Sequence, residues 1–157
     1  MSYGWSERGK QPMIACKQRK RERKTAFGVV NFETGQMTVS FEKRGNQKTF
    51  KKFLKKVLKV YQEHSKIFIV VDNVRYHHAK KLKNWLEKLN EKIELVYLPP
   101  YSPDLNPIER VWWYMRKKIT HNRFLETLDD RIAKFWQMFS HFLKPNQTIR
   151  NLCVVNY

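Results

Sequence analysis

The segment around residues 98–107 restricts this chain more than any other part of it, because four of the nine residues from Pro99 to Pro107 are prolines. Proline fixes φ and has no backbone N–H, so neither a helix nor a central strand can run through the segment. Asn106 is a good N-cap and Pro107 suits the first helical position, which predicts that a helix begins there. The apolar stripe of this helix consists of Ile108, Val111, Trp112, Met115 and Ile119.

A short apolar run at residues 66–72 ends in the carboxylate of Asp72, and this pattern is typical of a strand buried on both faces of a sheet. We therefore expect a central strand. Helical spacing follows at residues 78–90, and a second apolar strand spans residues 93–98. Because strand, helix and strand follow closely, the two strands should be parallel, with both carboxyl ends at one edge of the sheet. Ligand sites in open α/β sheets favour that edge.

The remaining segments predict a β-hairpin and two further helices. Residues 25–32 and 37–41 have the pattern of antiparallel strands joined by a turn. Residues 48–63 have the period of an amphipathic helix, and a last helix should span about residues 127–143. The tail at residues 151–157 fits either a short edge strand or no regular structure. The expected fold class is α/β, with a mixed sheet of an antiparallel hairpin and parallel strands flanked by helices.

Charge is the composition feature that bears most on function. The 157 residues suffice for one domain, and 32 Lys and Arg against 14 Asp and Glu give a formal charge of +18. Such an excess favours a polyanionic partner, and we expect nucleic acid. No apolar run approaches the roughly 18 residues that a membrane span needs, and no signal peptide is recognisable, so we expect neither a membrane protein nor a secreted one. The two cysteines form no metal-binding pair, and a reducing cytosol suits them.

Two basic segments are candidate DNA contacts. Six of the eight residues from Lys17 to Lys24 are cations, and lysines line one face of the helix at residues 48–63. Each set either contacts phosphates or forms a solvated charged surface, and the sequence leaves both interpretations open. The residues that we predict to contact DNA are Lys17, Arg19, Lys20, Arg21, Arg23, Lys24, Arg110, Arg116 and Lys117.

Asp72 and Glu109 are the candidate catalytic residues. One helix, one parallel strand and the proline segment separate them, so the chain can bring the two carboxylates together. Phosphodiester chemistry uses carboxylates to hold divalent ions, and oxygen ligands select Mg²⁺ or Mn²⁺. A structural interpretation stays open for each acid. Asn106 and Glu109 have the spacing of a capping box, and Asp72 with Asn73 also suits a strand-ending turn.

Two strings around these acids point to a known family. They are V-V-D-N at residues 70–73, followed by His77, and L-P-P-Y-S-P-D-L-N-P-I-E at residues 98–109, followed by V-W. Together they resemble the catalytic half of the mariner-like transposases of bacterial insertion sequences, which belong to the DDE group and have a ribonuclease H-like fold. The string G-W-S-E-R-G-K-Q-P at residues 4–12, with Gly28 and Gly35, resembles the early hairpin region of the same family.

The resemblance implies a metal-dependent reaction on DNA. It makes Asp72 the second and Glu109 the third acidic ligand of Mg²⁺ or Mn²⁺, and it places Asn73 and His77 where they support the metal ligands or contact DNA. The implied reaction cleaves DNA at element ends and joins the freed 3′-OH to target DNA. The implied partners are double-stranded DNA, a second copy or a full-length transposase, without a membrane, in a prokaryotic cytoplasm near the nucleoid.

The chain also departs from the family pattern. No Asp precedes Asp72, whereas the family has its first aspartate on an upstream strand, and Glu7, Glu22 and Glu33 stand in other contexts. We therefore expect residues 1–157 to form a partial DDE catalytic domain that lacks its first strand and is inactive alone. The alternative is a non-catalytic fragment that binds DNA or pairs with a transposase. A ribonuclease H-like nuclease of another kind, such as a Holliday-junction resolvase, is the third interpretation, and it would not be expected to carry the proline string.

Overall fold

The computed structural model describes Arg8 and residues 23–89, 91–100, 102–120 and 127–154. Its strands are β1 (Thr25–Val30), β2 (Met37–Glu42), β3 (Ile67–Val71) and β4 (Ile93–Tyr97). Its α-helices are α1 (Gln47–Val60), α2 (Lys80–Glu87), α3 (Pro107–Ile119), α4 (Leu128–Phe139) and α5 (Gln147–Cys153), and short 3₁₀ turns lie at Arg75–His78, Pro103–Leu105 and Ser140–Phe142. The expected mixed α/β order is confirmed.

Strands β1 and β2 form the expected antiparallel hairpin, in a register that runs from Thr25 opposite Glu42 to Val30 opposite Met37. The turn between them needs Gly35, whose φ of +71° is a conformation that side-chain-bearing residues rarely adopt. A Cβ atom at this position would lie 2.1 Å from the carbonyl oxygen of Asn146. The turn therefore packs directly against the N-terminal end of α5.

Helix α1 begins with a capping box, in which the Asn46 side chain accepts from the backbone N–H of Thr49 and the Thr49 hydroxyl accepts from that of Asn46. Its apolar stripe packs on one side of the strands. The buried residues of this first core are Phe27, Phe50, Phe53, Leu54, Val57, Ile69, Val71, Leu82 and Ile93. The core ties the hairpin to β3, because β1 and β3 both contribute residues to it.

Strands β3 and β4 are parallel, as expected, and pair from Ile67 opposite Ile93 to Val71 opposite Tyr97. Their carboxyl ends therefore lie side by side. The helix that joins them starts at Lys80 rather than at residue 78, because a 3₁₀ turn occupies Arg75–His78. It also ends at Glu87, three residues before the expected end.

The expectation that β3 is a central strand buried on both faces is wrong for the part of the chain that the structure describes. There β3 pairs with β4 alone, in a two-stranded sheet separate from the hairpin. Ile69 and Val71 face the core, but Phe68 is 61% exposed and Val70 is 49% exposed. The apolar pattern is real, but the described residues supply neither a second strand beside β3, on the edge away from β4, nor a layer over its outer face.

Helices α3, α4 and α5 form a second core with β2. Its buried residues are Met37, Val39, Ile108, Val111, Met115, Ile119, Phe139, Phe142, Ile149 and Cys153. Helix α3 lies close against β1, where a Cβ atom on Gly28 would be 2.6 Å from the ring of Trp112. Glycine at this strand position thus sets how closely α3 approaches the hairpin, and it fixes the place of the helix that carries Glu109.

Several element boundaries differ from the sequence prediction. Helix α1 ends at Val60 rather than residue 63, and α4 ends at Phe139, where the 3₁₀ turn Ser140–Phe142 begins. The tail was expected to be an edge strand or irregular, but its first three residues belong to α5, whose N-cap Asn146 accepts from the backbone N–H of Ile149. Among the described residues, no helix is both long enough and apolar enough to cross a membrane.

Candidate active site

A cleft of about 160 Å³ opens where the carboxyl ends of β3 and β4 meet the beginning of α3. The parallel pairing places Asp72, directly after β3, beside the start of the proline segment, and that segment leads to the first turn of α3. The residues that line the cleft are Asp72, Asn73, Leu98, Pro99, Ser102, Asn106 and Glu109. The two acids that were selected from the sequence therefore line one cleft.

His77 holds the Asp72 carboxylate. Its Nδ1 atom lies 3.1 Å from Oδ1 of Asp72 and 3.0 Å from the backbone carbonyl oxygen of the same residue. Both partners are acceptors, so Nδ1 must carry the proton and donate. The ring itself is only 7% exposed and packs 4.1 Å from the ring of Phe50. A buried ring fixed in this way restricts the Asp72 side chain, which is otherwise 60% exposed.

Burial also sets the charge of His77. It lowers the pKa of the imidazole below its ordinary value, and the hydrogen bond to the Asp72 backbone carbonyl and the charge of the Asp72 carboxylate oppose this effect only in part. The ring is therefore neutral near pH 7. A neutral ring that donates from Nδ1 orients the carboxylate without cancelling its charge, so Asp72 remains able to bind a cation.

The turn after β3 is tied to the end of β4. The Asn73 side-chain amide donates to the carbonyl oxygen of Leu98, and the Leu98 N–H donates to that of Val71 at 2.9 Å. The Tyr97 hydroxyl donates to the carbonyl oxygen of His77 at 3.0 Å. These contacts join the residues after β3 to the start of the proline segment, so the two walls of the cleft are held together.

Glu109 lies in the first turn of α3, and the capping box that its spacing allowed does not form. The Asn106 side chain makes no capping hydrogen bond, and only the Glu109 backbone N–H donates to the carbonyl oxygen of Asn106, at 3.0 Å. Within the described ranges, the Glu109 carboxylate has no hydrogen-bond or ion-pair partner. Its exposed side chain lines the cleft. The structural interpretation of Glu109 thus loses its main support.

The donor set suits a hard divalent cation. The polar side chains that line the cleft belong to Asp72, Asn73, Ser102, Asn106 and Glu109, which offer carboxylate, amide and hydroxyl oxygens and neither a thiol nor an imidazole. Such oxygens are the ligands of Mg²⁺ and Mn²⁺ rather than of Zn²⁺. In the part of the chain that the structure describes, no group of three or more His, Cys, Asp or Glu residues could hold an ion. Among the described residues, the cleft therefore offers two carboxylates that could bind such an ion.

The residues predicted to contact DNA differ in whether the structure describes them and in whether they are exposed or paired. Lys17, Arg19, Lys20 and Arg21 lie outside the described residues, and Arg23 is exposed. Lys24 forms an ion pair with Asp129 at 2.7 Å. Arg116 and Lys117 are exposed near the end of α3.

Arg110 is engaged inside the protein. Its Nε donates to the carbonyl oxygen of Leu152 at 2.6 Å, and its Nη2 donates to that of Cys153 at 3.1 Å. The guanidinium thus satisfies carbonyl groups at the end of α5. This geometry favours a structural role for Arg110 over the predicted contact with DNA.

Part of the lysine face of α1 is also used internally. Lys52 pairs with Glu42 at 2.8 Å, and Lys56 donates to the carbonyl oxygen of Val39 at 2.7 Å. These two lysines attach α1 to β2. The interpretation of this face as a phosphate-binding surface therefore rests on the remaining lysines.

Sequence reasoning did not select Ser102 and Asn106 as site residues, although both line the cleft. Asn106 was interpreted as an N-cap, and its side chain is free for another role because it makes no capping bond. The sequence feature that could have identified them is their position in the proline segment, which connects β4 to Glu109.

Comparison with known proteins assigns the family. The model for DDE superfamily endonucleases matches residues 1–132, which is most of the chain. The chain belongs to this family. The match includes both acids of the cleft and the proline segment between β4 and α3, and it supports the resemblance to mariner-like DDE transposases.

Two curated relatives are similar in sequence. An uncharacterized 39 kDa protein of insertion element IS630 from Shigella sonnei is 26% identical over 143 residues, which cover 89% of this chain and 39% of the relative. The uncharacterized protein y4pE/y4sA from Sinorhizobium fredii (strain NBRC 101917 / NGR234) is 37% identical over 65 residues, which cover 41% of this chain and 44% of the relative. The chain thus spans less than half the length of the curated relatives it matches.

A solved structure shows the same fold. The crystal structure of the Mos1 strand transfer complex contains a chain that superposes with a TM-score of 0.66 and 19% identity, over 97% of this chain and 45% of that one. The expected fold class, a ribonuclease H-like mixed α/β arrangement, is confirmed by this likeness and by the order of elements.

Proposed function

We propose that this chain is the catalytic segment of a DNA transposase that cleaves DNA at the ends of an insertion element and joins the freed 3′-OH to target DNA. The observation that carries the proposal is that Asp72 and Glu109 line one cleft with oxygen donors around them. Family membership and the relatives support the same class of reaction.

Asp72 and Glu109 would hold Mg²⁺ or Mn²⁺. Bound there, the ion would activate an attacking oxygen and stabilise the leaving oxygen of the phosphodiester. The two carboxylates lie in a chain of strongly positive charge, and a divalent ion would also relieve the repulsion between them.

The neighbouring residues position the acids. His77 is buried and donates to Asp72, which favours the supporting role over contact with DNA. Asn73 fixes the turn that presents Asp72, because its amide is bound to the carbonyl oxygen of Leu98. Loss of either contact would leave the carboxylate present but less well oriented.

The cationic surface would bind the DNA backbone. Arg116 and Lys117 follow Glu109 on the exposed side of α3 and would contact phosphates on both sides of the cleaved bond. Double-stranded DNA of the element ends and of the target is the proposed partner, and a second copy or a full-length transposase is a further one. A prokaryotic cytoplasm, near the nucleoid, is the proposed location.

The second candidate function is a non-catalytic one, in which the chain binds DNA or pairs with a transposase without turnover. It is favoured by the number of acids, since the described residues place two carboxylates in the cleft. Both candidates share the cationic surface, so affinity for DNA does not separate them. Metal-dependent strand cleavage separates the two candidate functions.

A nicking assay on supercoiled plasmid with Mn²⁺ tests the proposal. Asp72→Asn and Glu109→Gln should each lower nicking about 100-fold or more, because each removes a ligand of the metal. Asp104→Asn is the matched control, since Asp104 is an exposed acid of the same segment that does not line the cleft, and it should cleave like the wild type. Undiminished nicking by Glu109→Gln would overturn the assignment. Absence of nicking by the wild-type chain would favour the non-catalytic function.

A further inference from the structure

Helix α3 carries an exposed row of side chains that begins at Glu109. At about 100° per residue, Glu109, Trp113, Arg116 and Lys117 fall within an arc of about 100°, on the side opposite the buried residues of α3. At about 1.5 Å per residue, Trp113 lies about 6 Å and Lys117 about 12 Å along the helix from Glu109. The row therefore leads directly away from the cleft.

Trp113 is the unusual member of this row. Its neighbour Trp112 packs 5.8 Å from the ring of Phe139, whereas Trp113 is 57% exposed. The Lys117 Nζ atom lies 4.9 Å from the centroid of the Trp113 ring. Large exposed aromatic rings beside cations are typical of binding surfaces.

The positive charge around Trp113 indicates the kind of ligand that this row would bind. The last turn of α3 contains Arg116, Lys117 and Lys118, and Glu109 is the only acid on this helix. A ligand of this row must therefore combine negative charge with a flat apolar face, and nucleotides have both. In a duplex the base faces are covered by their neighbours. Apart from the outer face of a terminal base pair, only an unpaired base, in a single-stranded extension or an opened end, can offer its face to an indole ring.

We propose that Trp113 stacks on an unpaired base of DNA beside the phosphate in the cleft, while Arg116 and Lys117 contact phosphates of the same strand. Trp113 is then a positioning residue that favours DNA with unpaired nucleotides next to the reacting bond. The inference rests on the proposed function, since it takes the cleft as the place of the reacting phosphate.

A binding experiment without metal tests the inference. Purified wild-type chain and variants are titrated in EDTA against a labelled duplex and against the same duplex with a single-stranded 3′ extension that carries 2-aminopurine. Stacking contributes enough that Trp113→Ala should bind the extended DNA about 10-fold or more weakly and quench 2-aminopurine less. Affinity for the plain duplex should change less than about 2-fold, because phosphate contacts dominate it. Trp113→Phe, which keeps a ring, should retain most of the effect.

Phe68→Ala is the matched control. Phe68 is 61% exposed, and the Lys66 Nζ atom lies 5.0 Å from its ring centroid, but it sits near the amino end of β3, away from the cleft. The control should bind both DNAs like the wild type. Equal affinity of Trp113→Ala and wild type for the extended DNA would overturn the proposal. An equal loss of affinity for the plain duplex and for the extended DNA would also overturn it. The same holds if the wild type forms a dimer that Trp113→Ala abolishes while DNA binding is unchanged.

The two proposals fail in different ways. Stacking is measured in EDTA and needs no catalysis, whereas the nicking assay depends on the acids. If Glu109→Gln nicks like the wild type while Trp113→Ala loses affinity for the extended DNA, the metal site is wrong and the base-stacking site stands.

Discussion

Gly28 controls how closely α3 approaches the hairpin, so Gly28→Ala should destabilise the protein and disturb the site. The new Cβ atom would lie 2.6 Å and 2.9 Å from two ring carbons of Trp112 and 3.1 Å from Cδ1 of Ile108. Carbon atoms in contact normally lie about 3.5–4.0 Å apart, so the indole would have to move by about 1 Å. Trp112 cannot simply turn aside, because it packs against Phe139 in the second core.

The magnitude follows from two opposing effects. Overpacking of a core lowers the free energy of unfolding by about 1–3 kcal/mol. Replacing Gly by Ala raises it by about 0.4–1 kcal/mol, because Ala restricts the unfolded chain. The free energy of unfolding should therefore fall by about 1–2 kcal/mol. With a urea dependence of about 2 kcal/mol per molar, the unfolding midpoint should move down by about 0.5–1 M. Because Glu109 lies one turn before Trp112 on the same helix, nicking should fall as well.

Two further variants make this prediction specific. Gly45→Ala is the control, since its Cβ would lie 3.2 Å from a methyl group of Thr25 at a strand end, and its effect should stay within about 0.5 kcal/mol. In a Trp112→Leu background, Gly28→Ala should cost much less, because the clashing ring is gone. An unchanged urea midpoint for Gly28→Ala, or the same loss in both backgrounds, would refute the packing argument.

Two other predictions concern residues beside the site. Because burial lowers the pKa of His77, its contribution to stability is complete above its ordinary pKa and is lost as pH falls toward the lowered folded value. Urea midpoints measured in EDTA should therefore fall from about pH 6.5 downward, and less steeply in His77→Leu; identical slopes would contradict this. Arg110→Met should lower the free energy of unfolding by about 1–3 kcal/mol, since two carbonyl groups of α5 lose a charged donor. The affinity of this variant for duplex DNA should stay within about 2-fold of the wild type. If the slope of log affinity against log salt concentration were instead about one unit smaller than that of the wild type, Arg110 would be a phosphate contact.

Much of the fold could be predicted because the signals were local. The proline segment fixed the boundary before α3, and the two apolar runs with a helix between them predicted the parallel pair β3 and β4. The alternation around the Gly35 turn predicted the hairpin.

The features that sequence could not decide depend on what lies beside an element. An apolar strand such as β3 has the same pattern whether its outer face is covered or not, and the exposure of Phe68 and Val70 shows only in three dimensions. The start of α2 was placed too early because the 3₁₀ turn at Arg75–His78 has no distinct pattern. Helix α5 was missed although Asn146 is a suitable N-cap, because the helix that ends near residue 143 was predicted to be the last one and residues 151–157 fitted an edge strand or no regular structure.

In the candidate site, too, local features could be predicted from the sequence and tertiary contacts could not. The spacing from Asn106 to Glu109 fits a capping box and a metal ligand equally well, and only the direction of the Asn106 side chain separates them. The link between His77 and Asp72 also depends on the 3₁₀ turn, which returns the ring to the end of β3. Local sequence identified both acids, but the contacts that orient them come from the tertiary structure.

A crystal of the chain grown with Mn²⁺ and measured for anomalous scattering tests the central claim most directly. We predict a Mn²⁺ peak in the cleft, about 2.1 Å from a carboxylate oxygen of Asp72 and at a similar distance from one of Glu109. The peak should disappear in Glu109→Gln and persist in Asp104→Asn. Manganese bound elsewhere, or carboxylates of Asp72 and Glu109 that point to separate places with no ion between them, would contradict the account.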